Sequence, residues 1–429
     1  MKKLLLLVPA LLVGLAAMAQ QSREDFKRDI NLSGSNYLAY PGPQKELTPA
    51  PKGYKPFYIS HYGRHGSRYL IGTNDYDRPY NTLLKAKANG KLTAKGEEVL
   101  NKVGRIRSDA WKRDGELTLR GAEQHRAIAK RMYERFPEVF KGNVRVDAKS
   151  TVVIRCILSM ENALQQLKSM NPALDIRHDA SEHDMWYMNF DDKELFAHRM
   201  PKEAKEAYNA FSKKHQNYEK TMRRLFNDDT YWRDSLDASW LCDCLFKLAS
   251  NMQSTELRND ISLYDIFDED QIYDMWQRNN AWWYINYGAS PLNGATQPYS
   301  QRNLLKVIIH EADSCLKLKS PGATLRYGHD TMVMPLTCLL NINGMGKQIA
   351  DLEQLDDEGW YNYRIFPMAC NLQFVFYRKS GSDDIIFKLL DNEDEASLHI
   401  HTDIAPYYHW TDFKAYCQQI LDRYVKVKE

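Results

Sequence analysis

Three short apolar runs in this chain each end in a cluster of glycine, histidine or arginine. Pro56 to His61 (PFYISH) runs into Tyr62-Gly63-Arg64-His65-Gly66-Ser67-Arg68, Thr151 to Ile154 delivers Arg155, and Ala323 to Tyr327 delivers Gly328-His329-Asp330. Runs this short, rich in β-branched and aromatic residues, read as strands. A strand that ends in a Gly-containing turn is where an α/β sheet presents ligand-binding groups. Helical patterning lies between the runs. Ala122, His125, Ala129, Met132 and Phe136 recur at spacings of three and four, with Thr118 placed as an N-cap and Pro137 as a stop. A further helix is predicted over 157–170. Near the carboxyl end Leu372, Phe374 and Phe376 alternate, and Lys379-Ser380-Gly381-Ser382 turns the chain into Ile385 to Leu390, a hairpin pattern. The fold class expected is α/β.

Between Arg155 and Ala323 the pattern becomes helical and aromatic, holding six of the nine tryptophans. This predicts a mostly α-helical subdomain, residues 161–299, inserted into an α/β domain made of 20–160 and 300–429. The aromatics are expected to fill that subdomain's core, with a minority lining a cleft.

The amino terminus reads separately. Lys2 and Lys3 precede an apolar run from Leu4 to Ala16 that closes on Ala17-Met18-Ala19, the pattern of a cleavable secretory signal over residues 1–19. The run is shorter than the roughly 20 residues that span a bilayer, and no second one follows. No cysteine stands after the cleavage site, so a periplasmic or secreted protein without a lipid anchor or stable membrane insertion is expected. Without Lys2 and Lys3 the 58 basic residues fall to the number of acidic ones, 56. A chain so balanced is not built to coat nucleic acid or an anionic membrane. Seven cysteines are too few for a disulfide-stapled miniature fold and allow a bridge or two. Cys242 and Cys244 lack zinc-site spacing and read as structural or as halves of separate disulfides.

The segment Arg64 to Arg68 carries the most chemistry. Two guanidiniums flank one imidazole, and each can hold phosphate oxygens through paired hydrogen bonds. Gly66 leaves room for a tetrahedral group to approach the backbone. An imidazole nitrogen can attack phosphorus while the arginines neutralise the charge that builds on its oxygens. The departing alkoxide then needs an acid, which His329-Asp330 can supply. Two other His-Asp pairs, His178-Asp179 and His183-Asp184, lie in a polar stretch expected to be a solvated loop.

With these residues in place, the chain resembles the histidine acid phosphatase family, in the branch of phytases and multiple inositol polyphosphate phosphatases. Tyr62 to Tyr69 resembles the family's Arg-His-Gly-x-Arg signature. Leu117-Thr118 with Gly121 and Gln124 resembles its Leu-Thr-x-x-Gly-x-x-Gln element, and Gly328-His329-Asp330-Thr331 resembles its distal His-Asp motif. The resemblance implies His65 as nucleophile and Asp330 as proton donor. Arg64, Arg68, Arg155 and His329 would hold the phosphate, with no metal and no cofactor. It also implies a phosphoglycerate-mutase-like central mixed sheet flanked by helices, the active site lying between sheet domain and helical insert. Two departures stand out. Many inositol polyphosphate phosphatases carry His-Ala-Glu where this chain has His329-Asp330-Thr331, and Ile154-Arg155-Cys156 replaces a more usual Asp-Arg-Thr.

Other motifs yield less. His310-Glu311 lacks the second histidine of a zinc-protease helix, since position 314 is serine. His399 and His401 have no third ligand nearby. His125, on an apolar helix face, reads as a hydrogen-bonded core residue. The expected activity is thus an exported acid phosphatase acting on a small-molecule phosphomonoester, with inositol polyphosphates preferred. The alternatives are a broad-specificity enzyme for small phosphate or sugar-phosphate esters, a binding protein without turnover, and a phosphotransferase or mutase.

Overall fold

The computed structural model describes residues 21–424. The expected signal segment lies outside them. Eight strands form one sheet: β1 (Tyr54–Arg64), β2 (Arg145–Ser150), β3 (Asp175–Asp179), β4 (Gly322–Gly328), β5 (Asn371–Lys379), β6 (Ile385–Asp391), β7 (Asp394–Glu395) and β8 (Tyr407–His409). The order is β3-β2-β4-β1-β5-β6-β7, with β8 also pairing β6. Strands β3, β2, β4 and β1 run parallel, and β5 joins β1 antiparallel. The sheet is therefore mixed, as expected.

Counting α-helices of eight residues or more among the described residues, the chain adds α1 (Gln21–Arg28), α2 (Asn74–Ala88), α3 (Ala94–Asp109), α4 (Leu119–Arg135), α5 (Ile154–Met170), α6 (Lys202–Lys214), α7 (Ala238–Met252), α8 (Glu269–Tyr287), α9 (Arg302–Cys315), α10 (Asp330–Leu339) and α11 (Trp410–Asp422). Side-chain alternation along the strands builds two cores, one on each face. Ile59, Val146, Leu325 and Val375 pack with Met132 of α4 and Leu164 of α5. Tyr58, Tyr62, Phe374 and Phe376 face Leu305 of α9, Val333 of α10 and Phe413 of α11. A third core, without strands, joins Leu83 of α2 and Val103 of α3 to Leu245 of α7 and Trp276 of α8.

Several sequence expectations meet the structure here. Helix α4 has Thr118 as its N-cap, the hydroxyl accepting from Gly121 N at 3.2 Å, and ends one turn-residue before Pro137. The hairpin of β5 and β6 forms. The run Thr151 to Ile154 is not a strand. Strand β2 ends at Ser150, and Thr151 donates a last bond to the Tyr327 carbonyl at 3.0 Å. Ile154 then opens α5, 71% exposed. β-branching had suggested a strand, but these residues have no partner strand to bury against. The stretch 161–299 contributes β3 to the sheet, so it is not wholly a helical insert. Helices α2 and α3, from outside it, join the helical core. His178 and Asp179 lie on the exposed edge strand β3 in place of a loop. All seven cysteines are free, including Cys242 and Cys244, which sit two apart on one helix.

Candidate active site

Parallel pairing of β1 with β4 sets Arg64 opposite Gly328. One residue later His65 N donates to the Gly328 carbonyl at 2.9 Å, and the His65 and His329 rings lie 5.8 Å apart between centroids. Strand β2 flanks β4 on the other side, so the first turn of α5 carries Arg155 to the same end of the sheet. The carboxyl ends of three adjacent parallel strands thus converge at one crevice, where α/β sheets bind ligands.

The His65 ring is fixed at one nitrogen. Nδ1 lies 2.9 Å from the Gly66 carbonyl, which can only accept, so Nδ1 carries the proton and Nε2 keeps its lone pair. Arg64, fully buried, donates Nη1 to the carbonyls of Asn36 and Phe366 at 2.7 and 2.9 Å. Its Nη2 sits 2.7 Å from Asp330 Oδ2, a charge contact outside hydrogen-bond alignment. Arg68 donates Nη1 to the Tyr69 carbonyl at 2.9 Å. The Nε–H groups of Arg64, Arg68 and Arg155 are all buried with no partner in the protein. Buried donors are rarely left unpaired, and three of them around one imidazole form a site made for an anion.

His329 is the N-cap of α10, with Nε2 3.3 Å from Thr151 Oγ1 and the Cys156 sulfur within 3.9 Å. Asp330, the first residue of α10, accepts from Thr331 N at 2.9 Å. Every residue expected at the site is brought together. Gly66 also answers to a demand that the sequence did not show. A Cβ there would stand 2.4 Å from the Gly121 carbonyl oxygen, so the close approach of helix α4 requires the missing side chain.

Residues 63–392 match the model of the histidine phosphatase superfamily, branch 2. The chain belongs to this superfamily. No curated protein matches it. Among solved structures, the Bifidobacterium longum multiple inositol polyphosphate phosphatase in its apo form superposes with a TM-score of 0.74 at 19% identity, covering 90% of this chain and 97% of that one. The same enzyme with inositol hexasulfate gives 0.73 at 18% identity, with the same coverage. The D. castellii phytase gives 0.68 at 14% identity, covering 93% and 86%. These likenesses extend the shared fold over nearly the whole described chain.

In this histidine phosphatase burial and neighbouring charges together set the protonation states. Burial drives the His65 imidazole well below its ordinary value, and Arg64, Arg68 and Arg155 push it further. Both effects favour the neutral ring. His329 is drawn down to about 4 by burial and then by Arg155. Burial acts to raise the Asp330 carboxyl, but Arg64, Arg68 and His329 together outweigh it and hold the group below its usual range. Sequence reasoning missed Asn36 and Tyr37. The Asn36 carbonyl anchors Arg64, and the Tyr37 ring lies 5.7 Å from the Arg68 guanidinium. Tyr37 also walls a cavity of about 220 Å³ shared with Lys247, Arg278 and Trp282. The segment around Tyr37 is a short 3-10 turn without apolar periodicity, which leaves no sequence signal to find it by.

Proposed function

We propose that this chain hydrolyses phosphomonoesters, inositol polyphosphates among them, through a phosphohistidine at His65. The observation that carries the reading is the neutral imidazole with a free Nε2 amid three buried, unpartnered guanidinium N–H groups. In the first step Nε2 attacks phosphorus, the P–O bond to the alcohol breaks, and protonated Asp330 gives its proton to the leaving oxygen. Arg64, Arg68, Arg155 and His329 hold the phosphoryl oxygens. In the second step water attacks phosphorus, the P–N bond breaks, and the Asp330 carboxylate takes the water's proton. His65 returns to its starting tautomer.

The inositol polyphosphate preference draws support from the B. longum enzyme, solved with inositol hexasulfate. Export through the amino-terminal segment, residues 1–19, belongs to the same reading. The test is phosphate release from inositol hexakisphosphate at about pH 5, comparing wild type with His65→Ala in the presence of chelator. Release by wild type alone is expected. Release by neither, with turnover of a simple aryl phosphate, would shift the reading to small esters; release by both would remove His65 as nucleophile.

A further inference from the structure

We infer that Gln124 is a positioning residue that sets the tautomer of His65 through the Gly66–Ser67 peptide; the inference rests on the proposed role of His65. A peptide unit is planar, so its carbonyl and its N–H move together. The carbonyl of this unit, on Gly66, accepts the His65 Nδ1 proton at 2.9 Å. Its N–H, on Ser67, donates to Gln124 Oε1 at 2.8 Å. Gln124 Nε2 in turn donates to Ser67 Oγ at 3.0 Å. The side chain therefore grips Ser67 at two points, and it is 92% buried on α4 with little freedom to let go.

The neighbouring contacts do not duplicate this hold. Ser159 Oγ accepts from Gly66 N at 3.1 Å, which fixes the preceding peptide. Thr118 binds the Ser67 carbonyl through its N and Oγ1 at 2.9 and 3.0 Å, which fixes the following one. Among the described residues, only Gln124 holds the N–H of the unit whose carbonyl orients the imidazole. A hydrogen bond at the N–H also polarises that carbonyl and strengthens it as an acceptor, which favours the positive charge the ring acquires when Nε2 bonds to phosphorus.

Gln124→Met keeps the length of the side chain and removes the acceptor. With 15N-labelled histidine at pH 6, wild type should show His65 protonated at Nδ1, the signal assigned by its loss in His65→Ala. Gln124→Met should show the two tautomers mixed and a kcat reduced on the order of 10²-fold, as for other misplacements of a reacting group, with affinity for inorganic phosphate kept. Gln124→Glu retains an acceptor and should retain the Nδ1–H tautomer, while its charge weakens phosphate binding. A folded Gln124→Met with an unchanged tautomer would overturn the inference. So would a wild-type His65 lacking the Nδ1 proton, a result that stands even if Gln124→Met does not fold. The nitrogen shifts are read without turnover, so they decide this inference even if no ester is hydrolysed and the functional reading falls.

Discussion

Asp330 faces opposite demands in the free enzyme and in the complex. Burial acts to raise its carboxyl, but Arg64, Arg68 and His329 outweigh it and hold the group below the usual range in the free enzyme, which favours the ionised form. In the proposed role of proton donor it must be neutral. A bound phosphate group reconciles the two, because its negative charge offsets the guanidiniums that stabilise the carboxylate. The sign follows: rate is lost as pH rises through the Asp330 value, and that value is lower in free enzyme than in complex. The alkaline limb of kcat should therefore lie at higher pH than that of kcat/KM. Coincident limbs with a substrate that does not titrate there would remove this coupling. Asp330→Asn should lower kcat for an alkyl phosphate by about 10²- to 10⁴-fold. A nitrophenyl ester, whose leaving group needs no proton, should instead give a burst of nitrophenol as phosphoenzyme accumulates. Equal losses on both esters without a burst would point away from acid catalysis. His65 and Asp330 were legible in the sequence because each sits in a contiguous motif at a strand end. Asn36 was not, since it contributes a carbonyl, and every residue type has one.

At the scale of elements, the site depends on how closely α4 approaches the turn after β1. Gly66 and Gly121 meet backbone to backbone, and a Cβ on Gly121 would come within 2.2 Å of the Ser67 carbonyl oxygen. Backbone atoms have no rotamer with which to give way. Gly121→Ala should cost about 1–3 kcal/mol, as overpacking does, and by pushing Gln124 from Ser67 it should lower kcat more than it raises KM. Urea unfolding and steady-state kinetics would check both, and a variant of wild-type stability would mean that α4 shifts without strain. Helix α4 was readable from sequence, cap and stop included, because its apolar face repeats and its end is marked by proline. The start of α5 was not. Thr151-Val152-Val153-Ile154 has strand composition, and only the end of the β2–β4 ladder at Tyr327 shows where pairing ceases. Strand β3, polar and exposed except for the half-buried Ile176, carries no sustained alternation to betray it.

For the molecule as a whole, the buried histidines oppose the acid conditions that catalysis favours. His61 and His125 are held down to about 3, chiefly by burial, and His329 to about 4. Their unfolded value is about 6.5. Between 6.5 and these values the unfolded chain binds protons that the folded one refuses, so stability falls as pH drops, by about 1.4 kcal/mol per pH unit for each group. His215, between Asp274 and Glu353, and His409, between Asp384 and Asp403, have the opposite sign. Their raised values give stability that is full below 6.5 and lost as pH rises through the folded value, so they protect nothing further as acid is added. Urea midpoints should decline from pH 6.5 to pH 4.5. His61, whose Nδ1 has no partner, offers the means to apportion the decline. His61→Asn removes one refused proton and should flatten the slope by about 1.4 kcal/mol per pH unit, even if the variant is less stable at pH 7. An unaltered slope would assign the decline to the other buried histidines, because carboxylates such as Asp25, which burial acts to raise but Arg364 and Tyr363 hold below the ordinary value, lose their contribution only as pH falls below about 4, beneath the measured window.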